Sequence, residues 1–202
     1  MKQTISLILL LALLIIGFGS IYIINEAEQA VVTQFGKPVG GAVIDAGIHF
    51  KIPIIQTVIK FDKRILEWDG SANEIPTLDN KYIFIDAFAR WRISDALQFY
   101  KAAKNEMLAQ SILDDILDGA VRDEIANRTM VEIVRSSNRV MAVKDVESSS
   151  VNINNEIVKD LTTAKGARLA IIESILLSVS EKLVDLNMGI EILDVQLKRI
   201  NY

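Results

Sequence analysis

Ile5–Ile24 (ISLILLLALLIIGFGSIYII) runs for 20 residues without a charge, a proline or an amide side chain. A helix of that length spans about 30 Å, the thickness of a bilayer's hydrocarbon core. It has no polar face to turn toward water, so it does not suit a surface helix of a globular domain. The stretch exits through Ile21-Tyr22-Ile23-Ile24, which is bulky where a cleaved secretory signal needs small residues. The expectation is a 4-residue head, an uncleaved anchor over 5–24 and a domain over 25–202. Ile5, Leu9, Leu13, Ile16 and Ile24 are the expected anchor positions.

Lys2 precedes the span while Glu26 and Glu28 follow it, so the positive-inside bias keeps the N-terminus in the cytoplasm and puts the domain outside. The part after the span holds 21 basic against 26 acidic side chains, formally −5, which argues against a nucleic-acid partner. With no cysteine in the chain, disulfides, thiolate metal sites and cysteine nucleophiles are excluded.

Gln29–Phe35 reads as a strand, and the proline and glycines of 36–41 as a turn. Ile48–Ile54 and Thr57–Phe61 read as β-rich runs interrupted at Pro53, and 69–80 as polar and turn-rich. In Tyr82–Ile93, Ile83, Ile85, Ala87, Ala89, Trp91 and Ile93 alternate with Tyr82, Phe84, Asp86, Phe88, Arg90 and Arg92. That period of two describes a strand with one face in a core.

Ser94 is the expected N-cap of a helix through Ala102, followed by a helix over 106–127 with Leu108, Ile112, Ile116, Ala120 and Ile125 at near-i+4 spacing and Leu113, Leu117 and Val121 alongside. Thr129 and Glu132 match a capping box. Asp145–Asn155 is the expected loop. A helix over 167–186 carries Leu169, Ile172, Leu176, Val179, Leu183 and Leu186 in a 3-4-3-4-3 seam. The seam suits either packing on the domain's own sheet or a protomer–protomer contact. Gly189–Ile200 returns to a strand, so the fold class is α+β, with a strand-rich half over about 25–100 and a helix-rich half over 101–202.

No catalytic constellation emerges. His49 is the sole histidine and lies in a β-rich run, where a structural role is the ordinary one. No H-E-x-x-H exists, and neither Gly17-Phe18-Gly19 nor Gly40-Gly41 is followed by the residues of a phosphate loop. Ser180 and Lys182 are two apart on a helix and point in different directions. The reading is of a non-enzyme with no cofactor and no metal site.

Five stretches in order carry a resemblance: NEAEQAVVTQFGKPV, AGIHFKIPIIQTVIKFDKRI, NKYIFIDAFARWRISDALQFY, LDDILDGAVRDEIANRTMVEIV and GIEILDVQLKRIN. Together they resemble the SPFH/Band 7 (stomatin–prohibitin–flotillin–HflK/C) domain, with Trp91–Asp95 closest to its bacterial HflC branch. The resemblance implies a non-catalytic inner-membrane protein with a periplasmic domain that pairs with an HflK-like subunit, forms oligomers and modulates the membrane AAA protease FtsH. It also implies that the first subdomain lies against the bilayer, where Phe50, Ile52 and Ile54 would supply one apolar face; a core-facing strand is the other reading of those three. Ala46 stands where family members usually carry proline. The family continues into an Ala/Glu-rich coiled coil, whereas this sequence stops at Tyr202, so a truncated product or a short variant is expected. Two other readings are a stomatin-type organiser of lipid domains with a cytoplasmic domain, and a membrane-tethered hydrolase.

Overall fold

The computed structural model describes residues 17–134 and 168–201. Ile5, Leu9, Leu13, Ile16 and the expected loop over Asp145–Asn155 lie outside the described residues. The elements are β1 (Ile21–Ile24), β2 (Glu28–Gln34), β3 (Lys37–Val43), β4 (Gly47–Phe50), β5 (Gln56–Asp62), β6 (Leu66–Asp69), β7 (Asn73–Pro76) and β8 (Tyr82–Ile93). They continue with α1 (Ala96–Ala102), α2 (Glu106–Ala126), α3 (Met130–Val134), α4 (Arg168–Asp185) and β9 (Ile190–Asn201). Strands, helices and a closing strand follow in the order that the α+β expectation requires. No described helix is long and apolar enough to cross a membrane.

The chain forms two compact units, which do not divide at residue 100. Unit 1 takes the described residues of 1–66, 91–110 and 183–191, and unit 2 those of 67–90, 111–182 and 192–202.

In unit 1, β2 is the centre of an antiparallel sheet in the order β3-β2-β5. Its register with β5 runs without a break from Glu28↔Asp62 to Gln34↔Gln56. Residues 36–41 are not a turn: the turn is Phe35-Gly36 alone, and β3 follows it at the sheet edge. An edge strand tolerates Pro38, and Gly40 (φ +81°) lies where the β2–β3 register shifts. Ile21–Ile24, read as the end of the apolar span, instead form a strand paired antiparallel with β4. Ile24, counted among the anchor positions, is buried there. β4 stops at Phe50, so Ile48–Ile54 is not one strand.

The unit 1 core sets Phe99 edge-on to Phe61 at 5.1 Å and stacked with Trp91 at 6.5 Å. The buried Gln29 amide donates to the Ile93 carbonyl at 3.0 Å. The cap of α1 is Asp95, one residue after the expected Ser94; its carboxylate accepts from the N–H groups of Leu97 and Gln98 at 2.8 and 3.1 Å.

In unit 2, β8 buries Ile83, Ile85, Ala87 and Ala89. Arg90, on its outer face, pairs with Asp194 through two bonds of 2.8 and 2.6 Å. The polar stretch 69–80 contains the end of β6 and all of β7, the latter paired antiparallel with the start of β8. Of the expected apolar positions of α2, Leu113, Leu117, Ala120, Val121 and Ile125 are buried, Ile112 and Ile116 are half-buried and Leu108 is exposed. The Thr129 N–H donates to the Glu132 carboxylate at 3.0 Å, which is the expected capping box.

Candidate membrane-facing surface

The strands of unit 1 run up and down between two ends, and their registers sort the side chains by end. At one end lie Gln34↔Lys37, Gln34↔Gln56 and Ile21↔Phe50; at the other lie Glu28↔Asp62 and Ile24↔Gly47. The segment 51–55 joins β4 to β5 at the first end, where the Ile52 N–H donates to the Gln56 side chain at 2.8 Å and the Gln56 N–H to the Ile52 carbonyl at 3.0 Å. Ser20, the residue of the apolar stretch that precedes β1, accepts from the Lys51 N–H at 2.7 Å. The apolar stretch therefore meets the domain at this end.

The same end gathers most of the exposed apolar side chains of β1–β5, while Ile44 and Ile65 are exposed toward the other end. On the β1–β4 ribbon, Ile21 and Ile23 stand opposite Phe50 and Ile48, and all four are exposed on one face. The other face stacks Tyr22 on His49 at 5.6 Å. His49 Nε2 lies 2.9 Å from the Asp45 carbonyl oxygen, a structural contact between β4 and the loop that precedes it. Phe18, Ile52 and Ile55 add to the exposed set.

Two non-glycine residues of this end hold unusual backbone. Phe35 (φ +51°) and Gly36 (φ +78°) form the two-residue β2–β3 loop, where asparagine and glycine are the usual pair. Ile54 has φ +72°, a conformation that a β-branched side chain avoids. Both tips are apolar and open to solvent, Phe35 at 84% and Ile54 at 97% exposure. The Tyr100 hydroxyl of α1 donates to the Gly36 carbonyl at 3.1 Å and braces the Phe35 tip.

Phe50, Ile52 and Ile54, the three residues expected at this surface, are all exposed, so the core-facing reading fails for them. They do not form a strand face, because Ile52 and Ile54 lie in the turn after β4. Ile21, Ile23 and Phe35 escape a reading of the sequence as surface residues. The first two are absorbed into the apolar run, and the signal for Phe35 is an aromatic residue before the glycine of a tight turn.

The α4 seam is divided. Val179 and Leu183 are buried, in one stripe with Ile171 and Ile175, while Ile172 and Leu176 are half-buried. Leu169 and Leu186 are exposed. The six do not make one continuous outward face.

Among the described residues no group of His, Cys, Asp and Glu could hold a metal ion. A shallow cavity of about 290 Å³ lies at the far end of unit 1, lined by Asn25, Glu28, Lys60, Asp62 and Arg64 among others. Its charges are paired with one another, Lys60 with Glu28 and Arg64 with Asp62, each at 2.7 Å.

Comparison with known proteins agrees with this architecture. Relatives include the protein HflC of Borreliella burgdorferi, 33% identical over 98% of this chain and 60% of its own length. The protein HflC of Vibrio parahaemolyticus is 29% identical over 96% of this chain and 60% of its own length. The modulator of FtsH protease HflC of Escherichia coli K12 is 28% identical over all of this chain and 64% of its own length. The chain thus spans somewhat under two thirds of these relatives. Residues 22–202 match the SPFH domain / Band 7 family, and the chain belongs to that family.

Proposed function

We propose that this chain is a non-catalytic, single-pass protein of a bacterial inner membrane, anchored by its apolar N-terminal stretch, with its N-terminus in the cytoplasm and its domain on the outer face. In this reading it assembles with copies of itself and an HflK-like subunit and modulates an FtsH-like membrane AAA protease; the Escherichia coli relative is named a modulator of FtsH protease. The observation that carries the membrane part is a cluster of exposed apolar side chains at one end of unit 1. Phe18, Ile21, Phe35, Phe50, Ile52 and Ile54 are exposed at the end where the apolar stretch enters. An exposed apolar patch contiguous with an anchor is suited to the interface of a bilayer.

The absence of cysteine allows unique labelling. An environment-sensitive fluorophore on Ile54→Cys, in the full chain reconstituted in nanodiscs, is expected to be quenched by nitroxide-bearing lipid. The same label on Asp45→Cys, at the far end, is not. Equal quenching at both positions, or none at 54, rejects the membrane-apposed surface. The regulatory part is tested by co-purification with HflK-like and FtsH-like proteins, and recovery of neither argues against it. Protease accessibility of the domain in sealed vesicles separates this reading from a stomatin-type organiser, which requires a cytoplasmic domain.

A further inference from the structure

The carboxylates of β1–β5 and the loops between them lie toward one end of these strands, where Lys60 and Arg64 also lie. The segments that build the apolar end, 17–23, 33–39 and 50–57, contain no Asp or Glu and two cations, Lys37 and Lys51. Glu28 and Asp62 face each other at the far end, and Asp45 lies in the loop leading to the Gly47↔Ile24 end of the ribbon. There the carboxylates of Glu28 and Asp62 are occupied by Lys60 and Arg64, whereas neither Lys37 nor Lys51 has an ion-pair partner among the described residues. Lys37 follows the Phe35-Gly36 tip directly, and Lys51 lies between the exposed Phe50 and Ile52 with its backbone bonded to Ser20. A lysine beside inserted apolar groups keeps its stem along the apolar surface and its ammonium at the depth of the headgroups.

We propose that Lys37 and Lys51 make the apolar end of unit 1 selective for a membrane surface of anionic phospholipid. This rests on the membrane-apposed reading above and adds to it a lipid chemistry. The chain as a whole has a formal charge of −4, so an anionic surface would repel it if its charges were evenly spread. Placing the carboxylates of β1–β5 at the far end removes that repulsion where contact is made, and the Lys37 and Lys51 ammonium groups turn it into attraction that fades within a Debye length.

The test uses the full chain labelled at Ile54→Cys, in nanodiscs of phosphatidylcholine alone or mixed with phosphatidylglycerol. Adding phosphatidylglycerol is expected to raise the ratio of quenched to unquenched label roughly tenfold at low salt. High salt, or the double substitution Lys37→Gln and Lys51→Gln, returns that ratio to its phosphatidylcholine value without abolishing contact. Equal quenching in the two lipids overturns the selectivity while leaving the membrane contact standing. A label unquenched in both, with blue-shifted emission, places this end against protein and removes both readings. Circular dichroism of the double variant confirms that it is folded.

Discussion

Gly189 and Asp95 compete for the same space: a Cβ on Gly189 would collide with the Asp95 carbonyl oxygen and crowd the Phe99 N–H. Gly189 also holds φ at +63°, and its own carbonyl accepts from the N–H groups of Ser94 and Asp95 at 2.9 and 3.1 Å. The end of α4 is thereby fixed to the start of α1 within unit 1.

Gly189→Ala combines that collision with a left-handed backbone, and a loss of about 2 kcal/mol or more is expected. A fall in the urea midpoint with an unchanged slope is the measurement; an unchanged midpoint refutes the close approach.

Trp68 is fully buried, and its indole N–H donates to the Asp114 carboxylate at the surface of unit 2. Asp114→Ala leaves that donor without its partner, so a loss of about 1–3 kcal/mol is expected. Asp114→Asn keeps an acceptor oxygen and costs less. The order of the two variants in chemical denaturation decides the point.

The acidity of Asp79 gives unit 2 a pH dependence. Burial alone would raise its pKa, but bonds from the Thr77 hydroxyl, the Lys81 ammonium and the Met130 N–H outweigh it and hold the value at about 2. The folded value lies below the ordinary 3.8, so the stabilisation is complete above about pH 5 and is lost as pH falls through 2. Asp79→Asn is expected to cost about 1 kcal/mol at neutral pH, a modest figure because the group is partly solvated. The gap between variant and parent narrows as pH falls from 5 toward 2. A gap independent of pH rejects the ionised hub.

Phe35→Asn separates stability from membrane contact. Asparagine tolerates the left-handed tip, so the domain is expected to gain about 0.5–1 kcal/mol, while nitroxide quenching at position 54 weakens. A stabilised variant with full quenching removes Phe35 from the membrane surface.

Where a residue's neighbours differ in kind, the sequence was legible. Tyr82–Ile93 alternates apolar with polar or aromatic side chains, and the observed strand has the same bounds and the same buried face. Thr129 and Glu132 announced α3 because the cap is a local pairing. Where neighbours are alike, the reading failed. Ile21–Ile24 follows 16 uncharged residues, and nothing in an unbroken apolar run marks where a helix gives way to a strand. In α4, Val179 and Leu183 belong to both the 3-4 seam and the i+4 series from Ile171, so counting alone could not choose the buried stripe. The apolar end was visible only in part because its residues come from segments far apart in the chain. The registers of β1–β5 bring them together.

The bond from the Lys51 N–H to Ser20 has a mechanical consequence. Only residues 17–20 separate Ile16, the last expected anchor position before the domain, from β1, and even fully extended they reach no more than about 14 Å. On the proposed reading unit 1 has no leash: it rides at one altitude over the bilayer and cannot swing out to find partners. A protease or sister subunit must therefore present its contact surface at that height, and a flexible insertion after Gly19 would decouple them while leaving the fold and the anchor as they are.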